Sequence, residues 1–470
     1  MTSSSSGSDP VSLVILGGGG DLTKRLLLPG LASLLSQHPR PIQIVGAGLE
    51  ESDDAAWRTL IHDSFDSASH HPQVDLDLES LEHDAVWVTA DVTDADQLQK
   101  IFDACTGTPV LYFALPPAVT AKVCAALAGM DVPDGLRLAL EKPFGTDLTS
   151  SRELNRLISR IVPESQVFRI DHFLGKSTVL NIVGLRFSNA LLQGVWSNDL
   201  VESVEIVYDE ALGLEGRAGY YDDAGALIDM VQSHLLQVLA ILAMEPLPRL
   251  DEIELRSNAA QVLRNTRVWD GDAVAASRRA RYTAGTVGGK DLPSYAEAEG
   301  VDPDRGTETL AQVTFEVDTP RWRGVPFVLR SGKALGTARK EVSVRLRPAA
   351  RIEGLAGAPA GDRIVLDMAH DAITLELTMN GSGDPFTLER NTMTVTKEPG
   401  DLLPYGQVLQ GILDGDPLLS VRDDVAAECW RIVEPVLAAW HRDRVPLEEY
   451  RAGSAGPDSW GEDVRQGQDD

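Results

Sequence analysis

The sequence predicts an α/β domain followed by an α+β domain, and three observations support this fold class. Over the first third of the chain, short apolar runs alternate with helical patterns, as in a parallel sheet with helices on both faces. Four consecutive glycines follow the first apolar run. Later runs alternate apolar and polar residues with a period of two, which is typical of a large, mainly antiparallel sheet with one covered face.

The first apolar run covers residues 11–16, and the glycines are Gly17 to Gly20. Leucines at helical spacing follow, and Pro29 is expected to kink their helix. Four more buried strands are predicted, at residues 42–45, 86–89, 110–114 and 136–140. We therefore expect a doubly wound, Rossmann-like nucleotide-binding domain in this part of the chain.

The second part of the chain has a different pattern. Helices are predicted at about residues 176–189 and 224–244, before strands around 342–346 and 373–379. The complete division predicted from the sequence is a flexible tail at 1–10, the nucleotide-binding domain at 11–170, a substrate-binding and oligomerisation domain at 171–450, and a flexible acidic tail at 451–470.

Composition excludes several classes of protein. The chain has 470 residues, and with 43% of them hydrophobic it carries too much apolar material for a disordered protein. Lys and Arg total 42 against 71 Asp and Glu, and the formal net charge of −29 repels nucleic acid and anionic membranes. We expect neither as a partner. The sequence also has no uninterrupted run of about eighteen apolar residues to predict a membrane span.

Cysteine usage indicates the compartment. Cys105, Cys124 and Cys429 leave one cysteine unpaired in any disulfide arrangement, and none lies in a C-x-x-C pair. This usage fits a reducing compartment and argues against a structural zinc site. The first ten residues carry no signal-peptide pattern. We expect a cytoplasmic protein without a metal.

The glycine run is suited to a pyrophosphate, because backbone without side chains approaches phosphates closely and the next helix start offers N–H groups. The usual G-x-G-x-x-G is absent, since Leu22 stands where the third glycine belongs. A tight turn is the alternative, but strand, loop and helix in this order favour dinucleotide binding. The sequence Gly175-Lys176-Ser177 lacks the earlier glycine of a P-loop, so nucleotide hydrolysis is not expected.

Six motifs resemble those of the glucose-6-phosphate dehydrogenase family. Residues 169–176, R-I-D-H-F-L-G-K, are similar to the family's R-I-D-H-Y-L-G-K. Five further stretches match in family order: GGGGDLTK at 17–24, EKPFG at 141–145, EGRAGY at 215–220, QSHLLQ at 232–237 and RSGKAL at 330–335. The resemblance spans about residues 11 to 440, and it implies the two-domain fold that the patterns predict.

The resemblance also implies a reaction. Carbon 1 of glucose 6-phosphate gives a hydride to NADP or NAD, and the product is 6-phosphogluconolactone, in the first step of the oxidative pentose phosphate pathway. A homodimer or homotetramer formed through the sheet domain is the family's usual assembly, and we expect it here.

The same resemblance assigns two catalytic roles. His234 matches the base that takes the hydroxyl proton, a task that suits an imidazole with a pKa near working pH. Asp171 matches the carboxylate that accepts a hydrogen bond from His234 and fixes its tautomer. Apart from the resemblance, His234 would be interpreted as a core histidine and Asp171 as a cap or salt-bridge residue.

Substrate-binding positions follow in the same way. His172 and Lys176 match the family's phosphate-binding residues, and they share one face if their segment is helical. Glu210 and Asp229 match residues that bind sugar hydroxyls. Asp229 precedes His234 by five residues, about 140° around an α-helix, so these two are expected to flank the substrate rather than pair. Lys333 matches a lysine that contacts the sugar end.

Cofactor positions complete the predicted site. Lys142 matches a lysine that bridges sugar and cofactor, and Pro143 matches the adjacent proline near the nicotinamide. The other predicted cofactor contacts are Gly17, Gly20, Asp21, Leu22, Leu49, Asp91 and Val92.

Two positions depart from the family. Phe173 replaces the usual Tyr, which removes one possible hydrogen bond to phosphate and predicts weaker substrate binding. Leu49 stands where an Arg often binds the 2′-phosphate of NADP, and Glu50 and Glu51 follow. An acidic residue there favours a free ribose hydroxyl, so we expect NAD to serve at least as well as NADP. Arg58 or Lys24 could supply the missing charge, and NADP stays the family default.

Two other functions stay open. One is a dehydrogenase of another hexose 6-phosphate, such as galactose or glucosamine 6-phosphate. The other is a catalytically silent paralogue that binds nucleotide. The presence of Asp171, His172, Lys176 and His234 makes the silent paralogue the weaker alternative.

Overall fold

The computed structural model describes residues 10–68, 81, 83–216, 218–357, 361–398, 400 and 402–460. The chain divides into two compact units, each built from separated segments. Unit 1 comprises Met1–Ser177, Pro248–Ser257 and Gly400–Ala427, and unit 2 comprises Thr178–Leu247, Asn258–Pro399 and Glu428–Asp470. The domain limits predicted from the sequence describe contiguous segments, and they stay a prediction.

Unit 1 contains a seven-stranded sheet, with strands β1 Val11–Leu16, β2 Ile42–Gly48, β3 Val86–Thr89, β4 Thr108–Phe113, β5 Arg137–Glu141, β6 Val167–Ile170 and β18 Ser420–Val421. The strand order is β18-β6-β5-β4-β1-β2-β3. All neighbours pair in parallel except β18, which runs antiparallel to β6. The predicted Rossmann-like sheet is confirmed.

Apolar clusters cover both faces of this sheet. Successive residues of a strand point to opposite faces, and accordingly Leu13 and Ile15 belong to one cluster while Val14 and Leu16 belong to the other. Such two-sided burial explains why the strands are nearly continuous apolar runs. Among the described residues, the α-helices are α1 Leu28–Gln37, α2 Asp54–Ala68, α3 Ala95–Asp103, α4 Pro117–Leu127, α5 Leu148–Ile158, α6 Ser177–Phe187, α7 Ala190–Val195, α8 Ala218–Ala226, α9 Leu236–Ala243, α10 Glu252–Arg264, α11 Pro404–Asp414 and α12 Asp423–His441.

The kink predicted at Pro29 takes another form. A π-helical segment, Thr23–Leu27, precedes α1, and Pro29 lies in the first turn of α1. Because helical residues precede it, the missing N–H of Pro29 removes an intrahelical hydrogen bond, and its ring crowds the preceding turn, which is the turn that is π-helical. The helix therefore changes type before the proline and is not broken at it.

Unit 2 contains a ten-stranded sheet, with strands β7 Val201–Asp209, β8 Thr266–Val268, β9 Ser277–Thr283, β12 Leu310–Val317, β13 Phe327–Gly332, β14 Arg339–Leu346, β15 Arg363–Asp367, β16 Ala372–Asn380, β17 Leu388–Thr396 and β19 Leu447–Arg451. A separate hairpin joins β10 Gly285–Val287 to β11 Lys290–Leu292. The order is β17-β16-β15-β14-β7-β13-β12-β9-β19, and β8 pairs with β12. Among the described strands of this ten-stranded sheet, only the pairs β7–β13 and β9–β19 are parallel, which confirms the mainly antiparallel sheet.

The outer strands β16 and β17 differ from the prediction of one buried face. Their register places Leu375 opposite Met393 and Ile373 opposite Val395, so these apolar residues share one face. Met393 is nevertheless 59% exposed and Val395 is 64% exposed. Within one chain, this apolar face is only partly covered.

The helical stretch Ala218–Ala243 is both long and apolar. It contains no unbroken run of eighteen apolar residues, yet by length and composition it is apolar enough to cross a membrane. Of its most apolar window, 78% is buried inside the protein, as in a core helix.

The predicted flexible tail at 451–470 is wrong over its first half. Arg451 ends β19, and Ala452 and Trp460 are buried. The indole Nε1 of Trp460 donates to Glu448 Oε1 at 2.8 Å, so packing and hydrogen bonding fix this segment. Residues 461–470, like residues 1–9 of the other predicted tail, lie outside the described residues.

Candidate active site

The glycine run forms a tight loop between β1 and the next helix. Gly17 has φ +82°, and the N–H groups of Gly17 and Gly18 donate to the carbonyl of Ala47 at 2.7 and 3.2 Å. A Cβ on Gly17 would lie 2.5 Å from the Ala114 carbonyl oxygen, and one on Gly18 would lie 2.9 Å from Trp87. Both positions therefore require glycine. The loop delivers the chain to a helix start, the geometry that binds anions.

The helix start carries Asp21 and Leu22. The Asp21 carboxylate accepts a hydrogen bond from Arg25 at 3.4 Å on the surface. Leu22 packs against the apolar core of unit 1.

Glu50 lies over the glycine loop. A Cβ on Gly19 would be 1.8 Å from Glu50 Oε2, so the carboxylate occupies the space directly beside this glycine. Leu49, which the sequence placed at the 2′-phosphate position, is 74% exposed. The guanidinium of Arg58, an alternative source of positive charge, donates to the carbonyls of His83 and Ala85 at 3.0 and 3.1 Å.

Asp91 and Val92 follow β3, as predicted. The Asp91 carboxylate accepts hydrogen bonds from the backbone and side chain of Thr93, at 2.9 and 2.7 Å, and these bonds lower the pKa of Asp91. Val92 is buried in the core. The hydrogen bonds of the Asp91 carboxylate in this structure therefore stabilise the turn from Asp91 to Thr93.

Lys142 and Pro143 directly follow β5, and their peptide bond is cis. The strand ends in Glu141, whose carboxylate accepts a hydrogen bond from the Tyr112 hydroxyl at 2.5 Å and a further one from Tyr405. Burial raises the pKa of Glu141 to about 7, against the lowering effect of both hydroxyls and of Lys142. A titratable carboxyl therefore lies at the base of the Lys142 loop.

The segment from Asp171 to Lys176 follows β6 as overlapping tight turns. Backbone N–H groups of residues 174, 175 and 176 donate to the carbonyls three residues earlier, at 3.0 to 3.2 Å. The buried Asp171 carboxylate accepts the Phe173 N–H at 3.0 Å. A Cβ on Gly175 would lie 2.7 Å from the Pro404 carbonyl oxygen, which explains the glycine in this motif.

Aromatic rings surround the two predicted phosphate ligands. The His172 ring stacks on Tyr405, with centroids 5.9 Å apart and an angle of 13°, and meets Phe173 edge-on at 5.1 Å. The Lys176 ammonium lies 3.8 Å from the centre of the Phe173 ring. Phe173 is buried, so the ring that replaces the family's Tyr orients a cation by a cation–π contact.

In unit 2, Glu210 and Lys333 form an ion pair of 2.7 Å. Glu210 directly follows β7 and Lys333 directly follows β13, and these neighbouring strands run parallel with Asp209 opposite Gly332. Because parallel strands end at the same edge, the topology brings the two side chains together. Tyr221 lies beside them, its ring centre 5.2 Å from the Lys333 ammonium.

Asp229 and His234 lie on the helical segment Leu227–Leu235, which is π-helical. The expected angle of about 140° assumed α-helical geometry and is wrong here, because a π-helix links residues i and i+5. Asp229 and His234 are thus one turn apart. His234 is 1% exposed. Asp229 raises the pKa of the buried Tyr221, after the larger effect of burial, which puts Asp229 near the pair of Glu210 and Lys333.

Comparisons with known proteins identify the family. The family model "Glucose-6-phosphate dehydrogenase, NAD binding domain" matches residues 14–181, and "Glucose-6-phosphate dehydrogenase, C-terminal domain" matches residues 183–469. The chain belongs to the glucose-6-phosphate dehydrogenase family. It is therefore an oxidoreductase with a domain for a nicotinamide dinucleotide.

Three relatives illustrate how far the similarity extends. The glucose-6-phosphate 1-dehydrogenase of Gluconobacter oxydans is 37% identical, over 96% of this chain and 95% of its own. The crystal structure of the Mycobacterium avium glucose-6-phosphate 1-dehydrogenase has a TM-score of 0.84 at 30% identity, over 99% and 98% of the two chains. A glucose-6-phosphate dehydrogenase in complex with its substrate has a TM-score of 0.86 at 27% identity, over 98% of each.

The glycine loop fits the dinucleotide that the family uses. Close approach to a phosphate requires backbone without side chains, and a Cβ at Gly17, Gly18 or Gly19 would meet another atom of unit 1 within 3 Å. In this chain the first helical turn begins at Asp21, directly after the loop, so the N–H groups of that turn are available to the same phosphate.

The sequence missed Glu141, Tyr405 and Tyr221 as members of the candidate site. Tyr405 comes from a segment more than two hundred residues after His172, and no local pattern connects the two. Glu141 lies within a matched motif, and its position beside Lys142 was the available signal. The predicted hydrogen bond between Asp171 and His234 joins residues of different units and stays a prediction.

Proposed function

We propose that the chain oxidises glucose 6-phosphate at carbon 1 to 6-phosphogluconolactone. The observation that carries the proposal is the buried His234, in the same unit as the grouping of Glu210, Lys333, Tyr221 and Asp229. An almost fully buried imidazole, one helical turn from the Asp229 carboxylate, suits proton transfer from a sugar hydroxyl.

His234 takes the proton of the hydroxyl on carbon 1, and Asp171 holds the imidazole in the tautomer that accepts it. Glu210, Asp229 and Lys333 bind the sugar hydroxyls. His172 and Lys176 bind the phosphate dianion, for which a ring N–H donor and an ammonium are well suited. The nicotinamide dinucleotide, when bound, accepts the hydride of carbon 1, and Lys142 and Pro143 orient the substrate against it.

The test follows reduced-nicotinamide absorbance with glucose, galactose and glucosamine 6-phosphates, on the wild type and His234→Asn. We expect glucose 6-phosphate to be preferred, and the variant to lose roughly a hundred- to ten-thousandfold in kcat. His370→Asn is the control, because His370 is an exposed histidine of unit 2 that contacts Asp367 at 2.8 Å. Preference for another sugar phosphate, or an unimpaired His234→Asn, would contradict the proposal.

We propose further that NAD serves at least as well as NADP. Support comes from the Glu50 carboxylate over Gly19, which suits a free ribose hydroxyl and repels a 2′-phosphate. Glu50→Gln is expected to raise kcat/KM for NADP while lowering it for NAD. Glu51→Gln is the matched control. A hundredfold preference of the wild type for NADP would overturn the idea.

We propose that the protein forms a homodimer or homotetramer through the apolar face of β16 and β17, defined by Ile373, Leu375, Met393 and Val395. This face is only partly covered within one chain, and large exposed apolar patches mark interaction sites. Light scattering on Val395→Lys is expected to report a smaller species than the wild type. Thr394→Lys, one residue away on the opposite face, is expected to keep the wild-type size.

We propose a cytoplasmic location, supported by Cys105, Cys124 and Cys429, none of which forms a disulfide bond in the structure. Cell fractionation followed by detection of the chain tests this; recovery with an oxidising compartment would contradict it.

A further inference from the structure

The helix that carries His234 is held at its ends by side chains from elsewhere in unit 2. We call the continuous segment Leu227–Ala243, which joins the π-helical turn to α9, the His234 helix. Asp229 and His234 are its only titratable residues. Nearly all its side chains are buried, so the N–H and C=O groups at its ends need partners within the protein.

Glu308 binds the start of the His234 helix. Its Oε1 accepts the Leu227 N–H at 2.9 Å, and its backbone carbonyl accepts the Ala226 N–H at 3.3 Å. No side chain of the adjoining residues caps this end. The carboxylate therefore acts as a cap supplied from a segment about eighty residues away in the sequence.

The chain conformation at the helix start accommodates this carboxylate. Gly225 has φ +64° and ψ 178°, a conformation essentially confined to glycine. A Cβ at this position would lie 2.4 Å from Glu308 Oε1 and 2.7 Å from Oε2. The backbone thus leaves room for the carboxylate beside Gly225 and turns immediately into the helix.

The opposite end of the helix is bound by donors. Arg186 donates to the carbonyls of Ile241 and Met244 at 2.8 and 2.7 Å. The two carbonyls between them are also bound: the Trp196 indole donates to Leu242 at 3.0 Å, and the Trp322 indole donates to Ala243 at 2.7 Å. A carboxylate at the N-terminus and a guanidinium at the C-terminus match the helix dipole. Only the Glu308 end is close to a proposed substrate ligand, since Asp229 is two residues beyond Leu227.

We propose that Glu308 is a positioning residue that fixes the first turn of the His234 helix and thereby directs Asp229 toward the sugar. This inference rests on the proposed function for the roles of Asp229 and His234. Glu308 itself is assigned no contact with substrate, so its effect passes through Leu227 and the helix backbone.

Charged and titratable groups from three other elements face Glu308. Arg279 of β9 lowers the pKa of Glu308. The negative charge of Glu308 in turn raises the pKa of Tyr221 of α8 and of Tyr295. Burial outweighs the hydrogen bonds from the helix and raises the pKa of Glu308 to about 7. Both the ionised and the neutral carboxyl can accept the Leu227 N–H. The positioning role therefore depends on the acceptor, and a glutamine can supply it.

The experiment compares Glu308→Ala and Glu308→Gln. For the alanine variant we expect KM for glucose 6-phosphate to rise about tenfold or more, with a smaller loss in kcat and KM for the nicotinamide cofactor unchanged within about twofold. The glutamine variant should restore KM to within about threefold of wild type. If the alanine variant does not fold, Glu308→Asp, which withdraws the acceptor by one carbon, should raise KM by an intermediate factor.

Asp222→Asn is the matched control. Asp222 is also a buried carboxylate of unit 2 and accepts a backbone N–H, that of Asp302 at 3.0 Å, outside the His234 helix. It should lower Tm and leave KM for the sugar phosphate unchanged. A Glu308→Ala variant that only lowers Tm and leaves KM for the sugar phosphate unchanged, as expected of Asp222→Asn, would overturn the proposal. A Glu308→Gln variant whose KM rises as much as that of Glu308→Ala would overturn it as well.

Hydrogen exchange separates this inference from the proposed function. The amides of residues 227–229 should exchange about tenfold faster in Glu308→Ala than in the wild type, whatever substrate the protein takes. Unchanged exchange would overturn the inference. Absence of glucose 6-phosphate turnover in the wild type would instead overturn the proposed function.

Discussion

The two units present their candidate residues on different kinds of backbone. In unit 1 the glycine loop, Lys142 and Asp171 each directly follow a parallel strand of one sheet. In unit 2, Glu210 and Lys333 also follow parallel strands, whereas Asp229 and His234 lie on a buried helix. Strand ends are positioned by the sheet itself. A helix is positioned by what holds it, and in this molecule Glu308 and Arg186 do so.

Two carboxyls whose pKa values are raised, Glu141 in unit 1 and Glu308 in unit 2, show a related difference. Glu141 in unit 1 receives hydroxyl donors, Tyr112 and Tyr405, which can rotate to serve either charge state. Glu308 in unit 2 receives the fixed N–H of Leu227. Glu141 is thus surrounded by hydroxyl donors that can reorient, whereas Glu308 holds a segment of backbone in place.

The largest expected effect is on the pH dependence of stability. The pKa of Glu308 in the folded chain is about 7 against an ordinary value of 4.5, so between these values the folded state holds a proton that the unfolded state releases. Stability therefore falls as pH rises through this window, by about 3 kcal/mol for Glu308 and less for the partly exposed Glu141. Denaturant unfolding at pH 5 and pH 8 should show this fall.

Glutamine variants sharpen the comparison. Glu308→Gln and Glu141→Gln cannot ionise, so each should reduce the loss of stability between pH 5 and pH 8, with the larger reduction at Glu308. Glu202→Gln, at an exposed carboxylate of β7, should behave as the wild type. A wild-type stability that rises across this range would contradict the raised pKa values.

A second test contrasts one lysine from each unit. Lys176→Met should raise KM for glucose 6-phosphate roughly ten- to a hundredfold, the value of a hydrogen bond to a charged group, and leave Tm nearly unchanged. Lys333→Met should raise KM and also lower Tm, because Glu210 loses its partner at 2.7 Å. Steady-state kinetics and thermal unfolding measure both.

The control for the lysine test is Lys340→Met. Lys340 lies 4.6 Å from the Tyr208 ring centre, a cation–π contact like that of Lys176 with Phe173, but outside the predicted site. The KM of the Lys340→Met variant for glucose 6-phosphate should stay at the wild-type value. If the Lys176→Met and Lys333→Met variants lost the same amount in Tm, the expectation that only Lys333 also stabilises its unit would be contradicted.

Local patterns predicted the parts of the fold that local chemistry determines. β1 and β3 begin and end as expected, because each is a short apolar run closed by glycine or polar residues; β1 is buried on both faces, and β3 is partly buried. β18 escaped prediction, since two residues, Ser420 and Val421, carry no strand signal and pair with β6 through long-range packing alone.

In the candidate site, too, local motifs predicted some residues, and others could be found only from the fold. Motifs located Asp171, His172, Lys176 and His234, but the π-helical turn around His234 has no sequence signature that would correct an α-helical angle. Tyr405 and Glu308 come from distant segments, and the tertiary fold alone places them against His172 and Leu227. A residue that acts by holding another is visible only once the fold is known.

The smallest expected effect concerns Phe173. Phe173→Tyr adds the hydroxyl that the family usually carries, and a hydrogen bond to phosphate would lower KM for glucose 6-phosphate by up to about tenfold. The gain is limited because Phe173 is buried and its ring already holds the Lys176 ammonium at 3.8 Å.

Phe187→Tyr provides the control for this last test. Phe187 lies under a cation in unit 2, the Arg186 guanidinium at 4.6 Å, and has no predicted substrate role, so its KM should not change. A Phe173→Tyr variant with no drop in KM would mean that the cation–π contact already supplies what the hydroxyl adds in relatives. Binding of phosphate in unit 1 would then depend on the aromatic setting of Lys176 rather than on the number of donors.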